Sequence, residues 1–295
     1  MNVYQNWFLA SRPWSFSMSA ISVSVGSALA AKQGDFSWGY YWVTLLGMVI
    51  LHAATNLIND VYDVRSGVDE RDVSTARYRP HPLLEGDLQP NRVRGVALIL
   101  YVVAVAIGVH LAAARGWALF WIGSVGVLAS IAYTAPPLKY KYKALGEFSV
   151  FLMWGPLMVE GAYFVQRQSF SLEAFWVSLP FGVLVALVLL INNTRDIDHD
   201  RRKGIVTLPI LIGQRNGLRL YVSLIVLAYL SILWMSIFGP LDPWALTVMA
   251  SLPLAIRLLK QMKRDIPLDA DARTAKLDTA FGVLLVASMI PGGLF

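Results

Sequence analysis

Residues 40–72 read YYWVTLLGMVILHAATNLINDVYDVRSGVDERD, an almost wholly apolar run over 40–60 that passes without a break into a cluster of amides and carboxylates. A run of that length, wound as an α-helix, crosses the roughly 30 Å hydrocarbon core of a bilayer. Eight further runs of the same kind, separated by charge, Pro or Gly, lie at 15–32, 93–114, 117–135, 146–166, 172–193, 217–238, 242–259 and 276–294. The chain therefore reads as an all-α polytopic membrane protein with about nine transmembrane helices. Nearly every residue is span or short connector, so it also reads as a single domain over 1–295. Small residues at Ala28 and Ala30 give the first run a signal-peptide flavour, but with eight spans behind it, it reads as a retained first helix.

Composition agrees. Of the 295 residues, 56% are hydrophobic and 15% charged, against about 45–50% and 25% in soluble domains. The formal charge of +6 forms no basic patch on a soluble face, so nucleic acid is excluded as a partner and the lipid bilayer takes its place. The absence of Cys removes thiol nucleophiles, iron–sulfur clusters and Cys-ligated zinc. With the amino terminus in the cytoplasm, all of the 25 Lys and Arg except Lys32, Arg115 and Arg167 fall on one side, as the positive-inside rule requires. The expectation is an integral cell-membrane protein with its N-terminus and active-site loops cytoplasmic and Phe295 outside.

The acids are not sorted by that rule, yet ten of the 19 stand between Asp60 and Arg94 and between Thr194 and Asn216. If the second helix continues past the interface, Asn56, Asn59, Asp60 and Asp63 share one face. The second cluster, INNTRDIDHDRRKG from Ile191 to Gly204, puts Asn192, Asp196 and Asp200 four apart, with Asn193 beside them and Asp198 pointing elsewhere. Bunched carboxylates without Cys ligands or spaced His favour a hard cation, and Mg²⁺ in particular binds through carboxylates plus substrate phosphates. Arg79, Lys139, Lys143, Arg195, Arg201 and Lys203 are near enough in sequence to pair with phosphate oxygens. His52, His81, His110 and His199 show no metal spacing, and His52 and His110 read as ordinary span residues. Glu160, inside the fifth run, is a functional candidate by position or an internally satisfied acid.

At these motifs the chain resembles the intramembrane aromatic prenyltransferases of the UbiA superfamily, whose signatures are NDxxDxxxD and a second DxxxD. The resemblance covers essentially the whole chain and implies helices around a central cavity, with a Mg²⁺–diphosphate site at its cytoplasmic mouth and a lipid-open tunnel for the isoprenoid tail. Asn59, Asp60 and Asp63 match the first signature, and Asp196 and Asp200 the second. These four carboxylates would be the catalytic metal ligands. The last Asp of the first signature is replaced by Gly67, with Asp69 two residues further on. The form NDxxDxxxGxD, together with NNxRDIxxDRxxGxxTLxxxxG, looks most like the 1,4-dihydroxy-2-naphthoate prenyltransferases of menaquinone biosynthesis. The partners implied are a polyprenyl diphosphate and an aromatic acceptor. In ARYRPHPLLEG, either Arg79 or His81 occupies the position of a diphosphate-binding Arg, and Arg79 is preferred for its charge. Tyr62, Tyr133, Tyr140 and Trp154 are candidates for shielding an allylic cation, with Tyr133 and Glu160 counted toward substrate. Other acceptors, such as 4-hydroxybenzoate, stay open. From a different class, a transporter for an anionic substrate would need polar groups near mid-membrane in matching halves.

Overall fold

The computed structural model describes residues 2–34, 36–71 and 74–290, so Asp72 of the first cluster and the last residues of the expected ninth span lie outside it. Among the described residues the chain is helical, with one isolated bridge between Lys143 and Val206. In order, the helices are α1 (Val3–Ala10), α2 (Phe16–Lys32), α3 (Trp38–Arg65), α4 (Ser74–Tyr78), α5 (Pro90–Arg115), α6 (Ala118–Ala132), α7 (Gly146–Leu152) and α8 (Met158–Arg167). They continue with α9 (Leu172–Arg195), α10 (Ile197–Arg202), α11 (Leu208–Ile212), α12 (Gln214–Phe238), α13 (Leu252–Arg264) and α14 (Ala270–Met289).

Among the described residues, seven stretches are long and apolar enough to cross a membrane. The other two expected spans are present as helices that fall short of that test. α6 has 15 residues, about 22 Å of rise. α14 carries Asp271, Arg273, Lys276 and Asp278 in its first half. Both pack into the bundle, α6 on α5 and α14 on α9.

α9 stands at the centre, with 67% of its most apolar window buried against 28% for α5, whose Leu98, Ile99, Val102 and Val109 face outward. Of the exposed tryptophans, Trp14 stands at the acidic mouth, and Trp38, Trp42, Trp117, Trp121, Trp176, Trp234 and Trp244 fall at the helix ends opposite the acidic loops. Such a ring is an interfacial anchor, and it sets the acidic loops at the other membrane face.

Two close approaches shape the interior. A Cβ on Gly26 would stand 2.2 Å from the Val159 carbonyl oxygen, so only glycine lets α2 lie against α8. Between α7 and α8, Met153–Leu157 form a π-turn with Pro156 inside it, and Gly155 leaves helical geometry at ψ −107°. The carbonyl of Trp154 accepts from Ser22 Oγ at 2.6 Å. Proline removes one N–H from the ladder, and the resulting kink carries Trp154 to the cavity wall.

Candidate active site at the polar mouth of the cavity

Within the bundle lies a cavity of about 410 Å³. Thr44, Met48, Leu51, Thr55 and Asn59 run down one wall at helical spacing, and from Thr44 to Asp63 that wall rises about 28 Å along α3. Its polar end is lined by Asp63, Asp69, Arg79, Lys141, Asn192 and Asp271, its other end by Leu111, Leu119, Ile122, Leu157 and Val165. Gly108 and Gly123 also line it, and a Cβ on either would meet nothing within 4 Å. A smaller hollow of about 60 Å³ joins the two acidic motifs, touching Asp69, Lys141, Asn192, Asn193, Asp196 and Asp200.

The first motif lies on α3 as its spacing predicts. Asp60 and Asp63 are both 2% exposed. Burial of two carboxylates demands cations, and each has one. Arg12 pairs with Asp60. Lys141 reaches Asp63 at 2.6 Å, and the Tyr142 hydroxyl donates to the same carboxylate. From sequence, Lys141 stood only as one of three nearby lysines with Lys139 and Lys143, and Arg12 was not placed at the site. Arg12 is turned inward by a left-handed backbone at φ 54°, and Lys141 by the 3-10 turn Tyr140–Tyr142 with the Lys143–Val206 bridge behind it. Burial works against the Lys141 charge, but Asp63, Tyr142 and Asp69 outweigh it and hold its pKa above the ordinary value.

Asp69, displaced from the usual motif position, folds back onto the same face, its N–H donating to the Asp63 carbonyl at 3.2 Å. Burial would raise its pKa, yet His81, Lys141 and Arg12 bring it down to about 2. Asp60, Asp69 and His81 present ligand atoms within 4.8 Å of one another, a grouping that no helical spacing could reveal because a loop creates it. The Leu84 N–H faces His81 Nδ1 at 3.4 Å, leaving Nε2 toward Asp69, also at 3.4 Å.

In the second motif the helix does not continue as expected: α9 ends at Arg195 and the chain bends at Asp196, with φ −96° and ψ 15°. Asp196 and Asp200 still stay together, because the Asp200 N–H donates to the Asp196 carbonyl at 3.0 Å. Arg195 binds Asp196 at 2.7 Å, Asp271 at 2.9 Å and the Asn192 Oδ1 at 2.6 Å, and Ser74 donates to Asp196 at 2.6 Å. Among the described residues Asp200 forms no ion pair with a base; burial and Asp196 push its carboxyl up to about 6. Asp271, which the sequence did not single out, also accepts from Tyr78 at 2.6 Å and faces Arg79 at 4.0 Å. The Arg79 guanidinium lies 5.3 Å from the centre of the Trp14 ring, and burial and Arg12 both disfavour its charge, so an anion arriving there is welcome.

Asn56 and Asn59 also face the cavity, with Asn59 accepting from Thr134 at 2.8 Å. Asn193 instead donates to Glu147 at 2.9 Å, tying α9 to α7. Tyr133 lines the cavity under Lys141.

Other expected residues are placed elsewhere. Lys139 and Lys143 line neither hollow, since the turn that brings Lys141 in turns its neighbours away. Arg201 is 62% exposed and faces Asp198. Lys203 pairs with Glu70 on the rim, linking the two motif loops. Glu160 accepts from the Ser171 N–H at 3.2 Å, at the start of α9 and about 36 Å from its acidic end.

A helical bundle with a mouth of paired acids and bases above a long apolar chamber is built for a molecule with a polyanionic head and a hydrocarbon tail, handled inside a membrane. The chain belongs to the UbiA prenyltransferase family, whose model matches residues 19–284, and it is an integral membrane enzyme that transfers prenyl groups. It is 28% identical over 286 residues to the 1,4-dihydroxy-2-naphthoate octaprenyltransferase of Bacillus subtilis, covering 95% of this chain and 90% of that one. To the human UbiA prenyltransferase domain-containing protein 1 it is 32% identical over 293 residues, covering 97% and 83%. Among solved structures, a UbiA homolog from Archaeoglobus fulgidus bound to DMAPP and Mg²⁺ superposes with a TM-score of 0.65 at 15% identity, over 96% of this chain and 99% of that one.

Proposed function

We propose that this chain, as one domain over 1–295, transfers a prenyl group from a polyprenyl diphosphate to 1,4-dihydroxy-2-naphthoate with loss of carbon dioxide, a step of menaquinone biosynthesis. The observation that carries the reading is the convergence of Asp60, Asp63, Asp69, Asp196 and Asp200 with Arg12, Arg79 and Lys141 over an apolar chamber. The acceptor rests on the NDxxDxxxGxD form of the first motif and on the likeness to the Bacillus enzyme.

The donor set fits Mg²⁺: it is mostly carboxylate oxygen, buried, and for Asp60, Asp63 and Asp196 already matched to one base each. Asp60, Asp63, Asp196 and Asp200 would hold the metal, whose positive charge offsets the negative charge developing on the departing diphosphate. Arg12 and Lys141, drawn off their carboxylates by the incoming phosphate oxygens, donate to them alongside Arg79. The tail lies along the apolar wall, where water is excluded from the allylic cation. The Tyr133 and Trp154 rings stabilise such a cation by about 0.5–2 kcal/mol each. The bond from the first prenyl carbon to oxygen breaks, and diphosphate leaves with the electron pair. The ring carbon bearing the carboxylate bonds to that prenyl carbon, and carbon dioxide departs, leaving its electron pair to restore the aromatic ring.

Asp60→Ala and Asp196→Ala are each expected to abolish turnover while the protein remains folded in detergent, and EDTA to abolish it reversibly. Retained turnover in either variant, or metal-independent transfer, contradicts the assignment.

A further inference from the structure

We propose that the cavity wall just below the carboxylates is a hydroxyl-recognising subsite, built on the Asn56 carbonyl and oriented by His52, that seats the hydroxylated ring of the acceptor. The inference rests on the prenyl-transfer reading and adds to it the chemistry of the second substrate's site.

Ser15 Oγ spends its one hydrogen on the Arg12 carbonyl at 2.8 Å, so it can only accept from its other neighbours. Those are Asn56 Nδ2 at 3.1 Å and His52 Nε2 at 3.2 Å. His52 therefore carries its proton on Nε2, and its bare Nδ1 accepts from Ser19 Oγ at 2.8 Å. Ser19 in turn accepts from the Trp154 indole at 3.2 Å. The second amide hydrogen of Asn56 goes to the Ser11 carbonyl at 2.9 Å. Every donor of Asn56 is thus consumed and its amide cannot flip. What remains is Oδ1: the hydrogen bonds of the Asn56 side chain among the described residues all leave from Nδ2, and Asn56 lines the cavity.

A carbonyl oxygen held in this way accepts and cannot donate. The ligand group that suits it is an O–H; a carboxylate, an ether or the carbonyl of an oxidised quinone leaves it unpaired. It stands four residues before Asp60 on α3, about 6 Å deeper than the first carboxylate, where a ring attacking the first prenyl carbon must lie. Phe16 and Trp154 close around His52 with ring centres at 5.6 and 5.0 Å, so the wall is otherwise apolar and aromatic. A phenol that donates to Asn56 Oδ1 gains electron density in its ring, which favours attack on a cation. Because carbon dioxide leaves in place of a ring proton, no base is required, and His52 is a positioning residue. This role goes beyond the sequence reading of His52 as an ordinary span residue.

The test is steady-state kinetics of the purified protein in detergent with Mg²⁺, geranylgeranyl diphosphate, 1,4-dihydroxy-2-naphthoate and its mono-O-methyl ethers. Asn56→Leu is expected to raise the acceptor KM about tenfold while the diphosphate KM stays within about twofold. One of the methyl ethers loses a similar factor on the unsubstituted protein and nothing further on Asn56→Leu. His52→Leu and Ser19→Ala shift the acceptor KM in the same direction by about threefold or more, and His52→Gln recovers part of the loss. Ser19→Ala, which removes a single hydroxyl, carries the test if the larger changes unfold the protein. An unchanged acceptor KM in these variants, equal rises in both KM values, or continued discrimination against the ether by Asn56→Leu overturns the subsite. If the unsubstituted protein prenylates no hydroxylated aromatic, the reading of function falls first and this one with it.

Discussion

Replacing Lys141 with Met removes the cation facing Asp63 while keeping most of the apolar stem. Asp63 is 3% exposed at its side chain and Lys141 22%. Removing one partner of a buried ion pair costs about 3–5 kcal/mol, because the other charge is left without compensation. The remaining Tyr142 hydrogen bond and the partly open head of Lys141 reduce this to about 2–3 kcal/mol. At roughly 2–4 °C per kcal/mol for chains somewhat shorter than this, metal-free Lys141→Met should unfold about 5–10 °C below the parent protein. The assay is thermal unfolding in detergent with EDTA. Adding Asp63→Asn to the variant removes the orphaned charge and should restore most of the loss. A shift under about 2 °C, or a double variant no more stable than the single one, refutes the view that the first-motif carboxylates are held in place by charge pairs awaiting exchange for a metal and a phosphate.

Asp200, pushed up to about 6, binds its proton more tightly in the folded protein than in the unfolded chain, so metal-free protein gains stability as pH falls from above 6 toward 4. Mg²⁺ affinity should weaken over the same interval, and Asp200→Asn should flatten the stability profile measured by thermal unfolding; an unaltered profile contradicts the assignment. Gly123→Phe projects a ring into open cavity, so turnover of geranyl diphosphate should persist while that of octaprenyl diphosphate falls at least tenfold, as chain-length competition would show. Gly26→Val drives a side chain into the Val159 carbonyl and should prevent α2 from docking on α8, seen as loss of a monodisperse peak in detergent.

Helical periodicity carried much of this molecule into view. The first acidic motif was legible because residues three and four apart share a face, and the spans because a bilayer fixes their length. What sequence spacing could not convey is what loops do. Among Lys139, Lys141 and Lys143, the inward base is decided by a 3-10 turn and a bridge to Val206, not by charge. Arg12 meets Asp60 across 48 residues through a left-handed backbone, and Asp69 reaches His81 through a fold-back. Asp271 joins the mouth only because α14 packs on α9. Glu160 follows the second of its two sequence readings, an internally satisfied acid, because its partner Ser171 caps the far end of α9.

The central claim is tested most directly by incubating the purified protein with Mg²⁺, a polyprenyl diphosphate and a mixture of 1,4-dihydroxy-2-naphthoate, 4-hydroxybenzoate and homogentisate, and identifying the adducts by mass spectrometry. One product is expected, a prenylated naphthoquinol that has lost the mass of carbon dioxide. Prenylation of 4-hydroxybenzoate or homogentisate in its place would contradict the acceptor, and binding of the diphosphate with no adduct from any ring would contradict the reaction itself.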